Sequence, residues 1–313
     1  MQMFDAAEIR ANTPWSALID GIGVELVNGS VEAPDRHVHQ LDHPDGSQSA
    51  LLLMPSWVAG DLVVVKTVTY FPANAGSEIA TVNAAVLVFD GVTGQLAAVL
   101  DGDELTARRT AACSALAGRY LARADSSRLL IVGTGQLAPN MVRAHASVRD
   151  LTKIEVWGRR QDQAVAVVDQ LEREGYPAQV TTDLEESMKQ AHIISCVTGA
   201  TEPIVHGEWL APGAHLDLVG GFQPNMRESD DAAISRATVF VDTIAGAVVA
   251  GDLAQPLADG VIVESSIIGD LAALASGVHP GRSTDDEITL FKSAGFALAD
   301  LAAARLAFGL RPA

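Results

Sequence analysis

Hydrophobic and polar positions follow two different rhythms along this chain, and the change falls near residue 103. Before it, Asp61–Phe71 (DLVVVKTVTYF), Asn83–Asp90 (NAAVLVFD) and Gln95–Leu100 (QLAAVL) read as strands, the last two divided by Gly91–Gly94, a hairpin signal. VEAPDRHVHQL and SALLLMPSW, separated by the turn-rich HPDGSQ, add two more, and a short helix is expected around Pro14–Asn28. So many strands with so little helix between them predict an antiparallel sheet.

Asp103–Ala124 (DELTARRTAACSALAGRYLARA) is alanine-rich and amphipathic and reads as a connecting helix capped by Asp103. Strands and helices then alternate. RLLIV, a helix over Gln136–Arg149, KIEVWG, a helix over Gln161–Glu174, AQVTT, a short acidic helix, HIISCV, HLDLVG and TVFVD follow in turn. Such alternation predicts parallel strands joined by right-handed crossovers. A long helix, roughly Asp285–Phe308, is expected to pack back on the first domain. The fold class is therefore α/β: a Rossmann doubly wound parallel sheet, residues 114–289, plus an N-terminal α+β domain completed by the C-terminal helix, residues 1–113 with 290–313.

The hydrophobic run Arg128–Ala138 breaks into Gly133-Thr134-Gly135-Gln136-Leu137-Ala138. A G-x-G-x-x-A turn leaves helix-start amides bare for a dinucleotide pyrophosphate, provided a strand precedes it and a helix follows, as expected here. The second strand of such a unit usually ends in an Asp or Glu for the ribose 2′-hydroxyl. Here it ends Trp157-Gly158-Arg159-Arg160. Two guanidiniums and no carboxylate suit a 2′-phosphate, so NADPH is expected ahead of NADH. The plainer alternative is that these are solvated helix-start arginines and that Asp162 nearby reaches the ribose. Thr198 and Gly199, just past the fourth strand, should lie near the nicotinamide ribose.

Charge narrows the partners. The chain carries 21 Lys and Arg against 39 Asp and Glu, a formal charge of -18, which repels nucleic acid and anionic membranes alike. No apolar run reaches the ~20 residues of a membrane span, and the start lacks a secretory pattern. The two cysteines, Cys113 and Cys196, have no metal-like spacing and fit reduced thiols in the cytoplasm. His37 and His39 form an H-x-H pair without further ligands, so no metal site is expected. His215 and His279 read as structural, and no nucleophile elbow is present.

Lys66 shares a strand face with Val64, Val68 and Tyr70, where an ammonium is either an edge-strand lysine reaching water or a functional charge. Arg108 and Arg109 point about 100° apart on a helix, so one at most faces a given cleft.

PDRHV, LLLMP, VVKTVTYFP, DGDELTARRTAACSALAGRYLA, GTGQLA, GGFQPNMRE and EITLFKSAGFALADLAAA occur in an order that resembles the ornithine cyclodeaminase and mu-crystallin family. The resemblance implies a homodimer whose N-terminal domain carries the dimer contacts and the substrate cleft. It places carboxylate-binding cations at Arg36, Lys66 and Arg109, selecting Arg109 over Arg108, and sets Lys292, Ser293 and Gly295 beside the nicotinamide. One position departs from the pattern. Cyclodeaminases carry an Asp after the paired glycines, whereas this chain reads Gly220-Gly221-Phe222, and a phenyl ring cannot act as acid or base. The implied activity is reduction of a cyclic imine acid such as Δ1-pyrroline-2-carboxylate, with Lys66 and Arg109 as the catalytic pair. Ornithine cyclodeamination, amino-acid dehydrogenation of the alanine type and non-catalytic NADPH-dependent binding are the alternatives.

Overall fold

The computed structural model describes residues 1–74, 77 and 79–309. The chain divides into two compact units, Met1–Arg109 with Phe296–Ala313, and Thr110–Gly295.

The first unit begins with β1 (Gln2–Phe4), α1 (Ala6–Asn12) and α2 (Trp15–Asn28). Four strands follow in antiparallel succession, β2 (His37–Asp42), β3 (Gln48–Val58), β4 (Leu62–Tyr70) and β5 (Val82–Asp90), then β6 (Leu96–Asp101), and the six-stranded order is β1-β6-β5-β4-β3-β2. β1 pairs parallel with β6, which makes the sheet mixed where a purely antiparallel one was expected. Period-2 alternation decides which side chains go inside: Leu62, Val64 and Lys66 of β4 are buried, and their neighbours Val63, Val65 and Thr67 are only partly so.

α3 (Gly102–Leu121) carries the chain into the second unit, where the sheet is parallel throughout. Its elements are β7 (Arg128–Val132), α4 (Leu137–Ala146), β8 (Lys153–Trp157), α5 (Gln161–Arg173), β9 (Ala178–Val180), α6 (Leu184–Gln190), β10 (Ile193–Cys196) and β11 (His215–Leu218). α7 (Asp231–Arg236), β12 (Thr238–Val241), α8 (Ile244–Ala247), α9 (Gly251–Ala258), β13 (Ile267–Asp270), α10 (Leu271–Ala275) and β14 (Thr289–Lys292) complete it. The order is β13-β12-β14-β11-β10-β7-β8-β9. From β7 the chain winds outward through β8 and β9, then returns to β10 on the other side of β7. That reversal is the switch point of a doubly wound sheet, where ligands bind beyond the carboxyl strand ends.

The last helix, α11 (Ala297–Ala307), belongs to the first unit and packs on α2, β3 and β4. Three expectations change here. The single helix over Asp285–Phe308 is a strand followed by a helix: TLFK is β14, fully buried between β11 and β12, and its β-favouring Thr and Phe lie in a run too apolar for periodicity to separate strand from helix. The unit boundary accordingly follows β14, at Gly295, instead of cutting the strand at residue 290. Finally, Asp103 does not cap α3. Asp101 accepts the Glu104 amide at 2.9 Å, while the Asp103 carboxylate accepts the Ala84 amide at 2.8 Å and ties the helix start to β5.

Candidate active site

In the first unit a fully buried carboxylate gathers two of the expected cations. Lys66 lies on a central strand, not an edge, and is 1% exposed. Its ammonium donates to Asp300 Oδ1 at 2.8 Å, and Arg109 donates through Nε to the same oxygen at 2.8 Å. Asp300 stands on α11 amid alanines and leucines, with Oδ2 buried and outside any hydrogen bond among the described residues. Burial lowers the Lys66 pKa from 10.5 to about 7, helped by the Arg109 charge, opposed by Asp300 and lowered slightly further by Arg36. Arg36, half-buried just before β2, is therefore close enough to be felt by the ammonium. With Lys66 protonated, two buried cations share one oxygen of a single buried carboxylate. Such an excess of positive charge in a desolvated place calls for another anion.

Arg108 is engaged elsewhere. Its Nε donates to Thr13 Oγ1 at 2.7 Å, a terminal nitrogen donates to the Thr13 carbonyl, and the guanidinium lies 4.1 Å from the centroid of the Trp15 ring. The 100° between adjacent helical positions thus separates a structural arginine from one beside Asp300.

In the second unit the glycine loop opens a groove of about 230 Å³ at the switch point. Gly133, Thr134 and Gly135 after β7, Trp157, Gly158, Arg159 and Arg160 after β8, and Thr198 and Gly199 after β10 all line it. Gly133 has φ +128°, and a Cβ there would stand 2.8 Å from the Val197 carbonyl oxygen. At Gly135 a Cβ would meet nothing within 4 Å, so that backbone is open to a ligand. Gln136 gives α4 no side-chain cap; Ala138 donates its amide to the Gly135 carbonyl at 3.0 Å and Pro139 has no N–H, so Leu137 supplies the first-turn amide for an anion. Leu137 and Ala138 form the first turn, Ala138 fully buried. Thr134 donates to Gln163 Oε1 at 3.1 Å, and Gln163 also lines the groove. The residues present fit a dinucleotide: a glycine cradle at a helix start and two exposed guanidiniums at the β8 end.

At the neighbouring carboxyl strand ends lies a buried ionic network. Glu228 accepts the Thr198 amide at 2.6 Å, the Thr198 hydroxyl at 2.9 Å and the Gly220 amide at 2.7 Å, joining the loops after β10 and β11. Burial pushes its carboxyl up to about 7, against the lowering pull of Lys292. Lys292 is fully buried and donates to Asp252 at 2.9 Å; burial alone would lower it, but Asp252, Glu228 and Asp242 hold it above the ordinary lysine value. Ser293 Oγ and the amides of Ala294 and Gly295 donate to Asp242 Oδ2 at 3.1, 2.7 and 2.6 Å. Neither Lys292 nor Ser293 lines the groove. Lys292 ends β14 and Ser293 follows it, at the carboxyl end of that strand.

Asp300, Asp252 and Asp242 escaped the sequence reading, although each is a lone acid in an apolar or glycine-rich stretch; Glu228 escaped as well, and among Arg227, Asp230 and Asp231 it carries no such signal. His215 is buried, bonded to Thr289 at 3.0 Å and lowered to about 3 by burial; His279 packs edge-on against Phe240. Both are structural. Cys113 and Cys196 are buried thiols in no disulfide among the described residues, and burial holds Cys196 well above the ordinary thiol range. No helix among the described residues is long and apolar enough to cross a membrane.

The ornithine cyclodeaminase/mu-crystallin family model matches residues 2–309. The chain is 41% identical to the Delta(1)-pyrroline-2-carboxylate reductase of Paracoccus denitrificans over 253 residues, 79% of this chain and 78% of that one. Among solved structures it is similar to the Thermococcus litoralis Delta(1)-pyrroline-2-carboxylate reductase in complex with NADH and L-proline, with a TM-score of 0.93 and 30% identity over 98% of this chain and 96% of that one. An archaeal alanine dehydrogenase dimer with bound NAD gives a TM-score of 0.90 and 25% identity over 98% and 95%. Sheet order, glycine cradle and buried cations thus meet a match that runs from end to end, and this chain belongs to the ornithine cyclodeaminase/mu-crystallin family.

Proposed function

We propose that this protein reduces a cyclic imine carboxylate with a reduced nicotinamide dinucleotide, Δ1-pyrroline-2-carboxylate to L-proline first and Δ1-piperideine-2-carboxylate to L-pipecolate as a further substrate. The observation that carries the reading is the excess of buried positive charge around Asp300, which a substrate carboxylate would neutralise. Because Asp300 engages Arg109 through Nε, the two terminal nitrogens are left to grip that carboxylate as a fork, with Arg36 and Lys66 adding charge. When bound, the reduced dinucleotide supplies the hydride that adds to the imine carbon. The imine nitrogen gains a proton in the same reaction. Lys66 Nζ, titrating near neutrality, is the group we assign to hold or relay it.

The groove at the switch point is the dinucleotide site in this reading, with Gly133 to Ala138 holding the pyrophosphate and Thr198 and Gly199 near the ribose. Arg159 and Arg160, both exposed on it, favour NADPH through its 2′-phosphate. Phe222 gives no acid–base group where cyclodeaminases keep an Asp, so amine loss and ring closure are not favoured. A homodimer is supported by the face of the six-stranded sheet opposite α11. There Leu51, Leu53, Trp57, Val63, Val65, Leu87 and Phe89 form an apolar surface, none of them fully buried. The buried reduced thiols fit a cytosolic enzyme.

The test follows NADPH absorbance with five- and six-membered cyclic imine acids and with pyruvate plus ammonia, and measures ammonia and proline formed from ornithine plus NAD+, a reaction without net change in the cofactor. Turnover of the imine acids and none of ornithine is expected. Turnover of pyruvate and ammonia alone would replace the reading with amino-acid dehydrogenation, and no turnover at all would leave a binding protein.

A further inference from the structure

We propose that Asp300 is the positioning residue of the carboxylate site: it orients Arg109 and keeps Lys66 an ammonium. The inference rests on the assignment of that site to the substrate carboxylate.

The charges around Lys66 come from three directions. Arg109 approaches from α3, Arg36 from the segment before β2, and Asp300 from α11. Across the sheet its pairing partners are Met54 on β3 and Val86 on β5, both apolar and both buried. Burial, Arg109 and Arg36 all act against the ammonium, and Asp300 alone favours it. Removing that carboxylate therefore releases the proton at lower pH. A second effect is steric. A guanidinium held by Nε has its direction restrained, and the end edge formed by its two terminal nitrogens is a separate face for a second anion. Both donors bond to one oxygen, so an amide oxygen at the same point keeps the shape of the site and loses the charge. A merely structural ion pair would affect stability and leave substrate affinity and its pH dependence alone.

The experiment compares wild type with Asp300→Asn, Asp300→Glu, Lys66→Met and the Lys66→Met/Asp300→Asn double variant. It measures kcat and KM for Δ1-pyrroline-2-carboxylate across pH, and calorimetric binding of the unreactive pyrrole-2-carboxylate. In Asp300→Asn we expect KM to rise about tenfold or more. The alkaline limb of kcat/KM should move down by about one to three pH units, as for loss of an opposite charge in contact. In the Lys66→Met background the same change should move no limb. An unchanged limb and KM in folded Asp300→Asn would overturn the proposal. Should that variant not fold, Asp300→Glu decides: its displaced carboxylate is expected to raise KM more than it lowers kcat, and a wild-type KM and pH limb would count against it. If wild type binds pyrrole-2-carboxylate yet reduces no imine acid, the reaction assigned above fails, while the pH dependence of that binding still reads Asp300.

Discussion

Lys66 and Asp300 stand 234 residues apart in the chain, and their side chains meet at 2.8 Å with both groups withdrawn from water. Because burial holds Lys66 near 7 instead of 10.5, its ammonium is lost as pH rises through that value. Affinity for a carboxylate ligand should therefore fall between about pH 7 and 10, a window that bound ligand moves upward. Calorimetry with pyrrole-2-carboxylate at stepped pH checks this. Stability runs the other way. Between 7 and 10.5 the unfolded chain holds a proton that the folded chain has released, so this group's contribution to stability grows with pH.

The adjacent arginines should separate cleanly. Arg109→Lys removes the planar fork and is expected to lower kcat/KM for the imine acid by about ten- to a hundredfold, at little change in Tm. Arg108→Ala loses the Thr13 bonds and the Trp15 face and should destabilise by about 1–3 kcal/mol, with KM within about twofold of wild type. Steady-state kinetics and denaturant unfolding on both variants check the pair. A KM effect in Arg108→Ala would reassign the site.

The two glycines of the loop differ in kind. Gly133→Ala forces a Cβ against the Val197 carbonyl at a positive φ and should lower both Tm and cofactor affinity. Gly135→Ala meets no protein atom, so Tm should hold while dinucleotide binding weakens about tenfold or more, because the new methyl occupies the ligand's approach. Fluorescence titration of NADPH alongside thermal unfolding distinguishes them.

Cofactor preference rests on the β8 end. Arg159→Ala and Arg160→Ala, singly and together, should raise the KM for NADPH and leave that for NADH nearly unchanged, since the 2′-phosphate is the group they would meet. Equal effects on both cofactors would make them surface arginines, and a wild-type preference for NADH would end the NADPH assignment.

Much of this molecule is legible locally. The strand–glycine–helix sequence at Arg128–Ala138 needs only nearest-neighbour physics: a continuous apolar run, a position closed to any Cβ, and a helix that starts directly after the turn. The parallel sheet follows from the alternation, and the groove residues after β7, β8 and β10 follow from the rule that ligands bind beyond strand ends. TLFK was not legible, because a short run buried on both faces looks the same as a piece of an apolar helix.

What pattern alone determined, then, is the order of elements, the glycine loop and the two guanidiniums after β8, since each is encoded within about one element of sequence. The family resemblance, itself read from sequence motifs, pointed to Lys66 and to Arg109 over Arg108. Tertiary structure decided that Lys66 sits on a central strand, that Arg108 is spent on Thr13 and Trp15, and that Asp300 binds the cation pair. The last of these depends on α11 returning to β3 and β4 after more than two hundred intervening residues. Periodicity says which face of a strand or helix is buried; which charge that face will meet is settled only when distant elements pack.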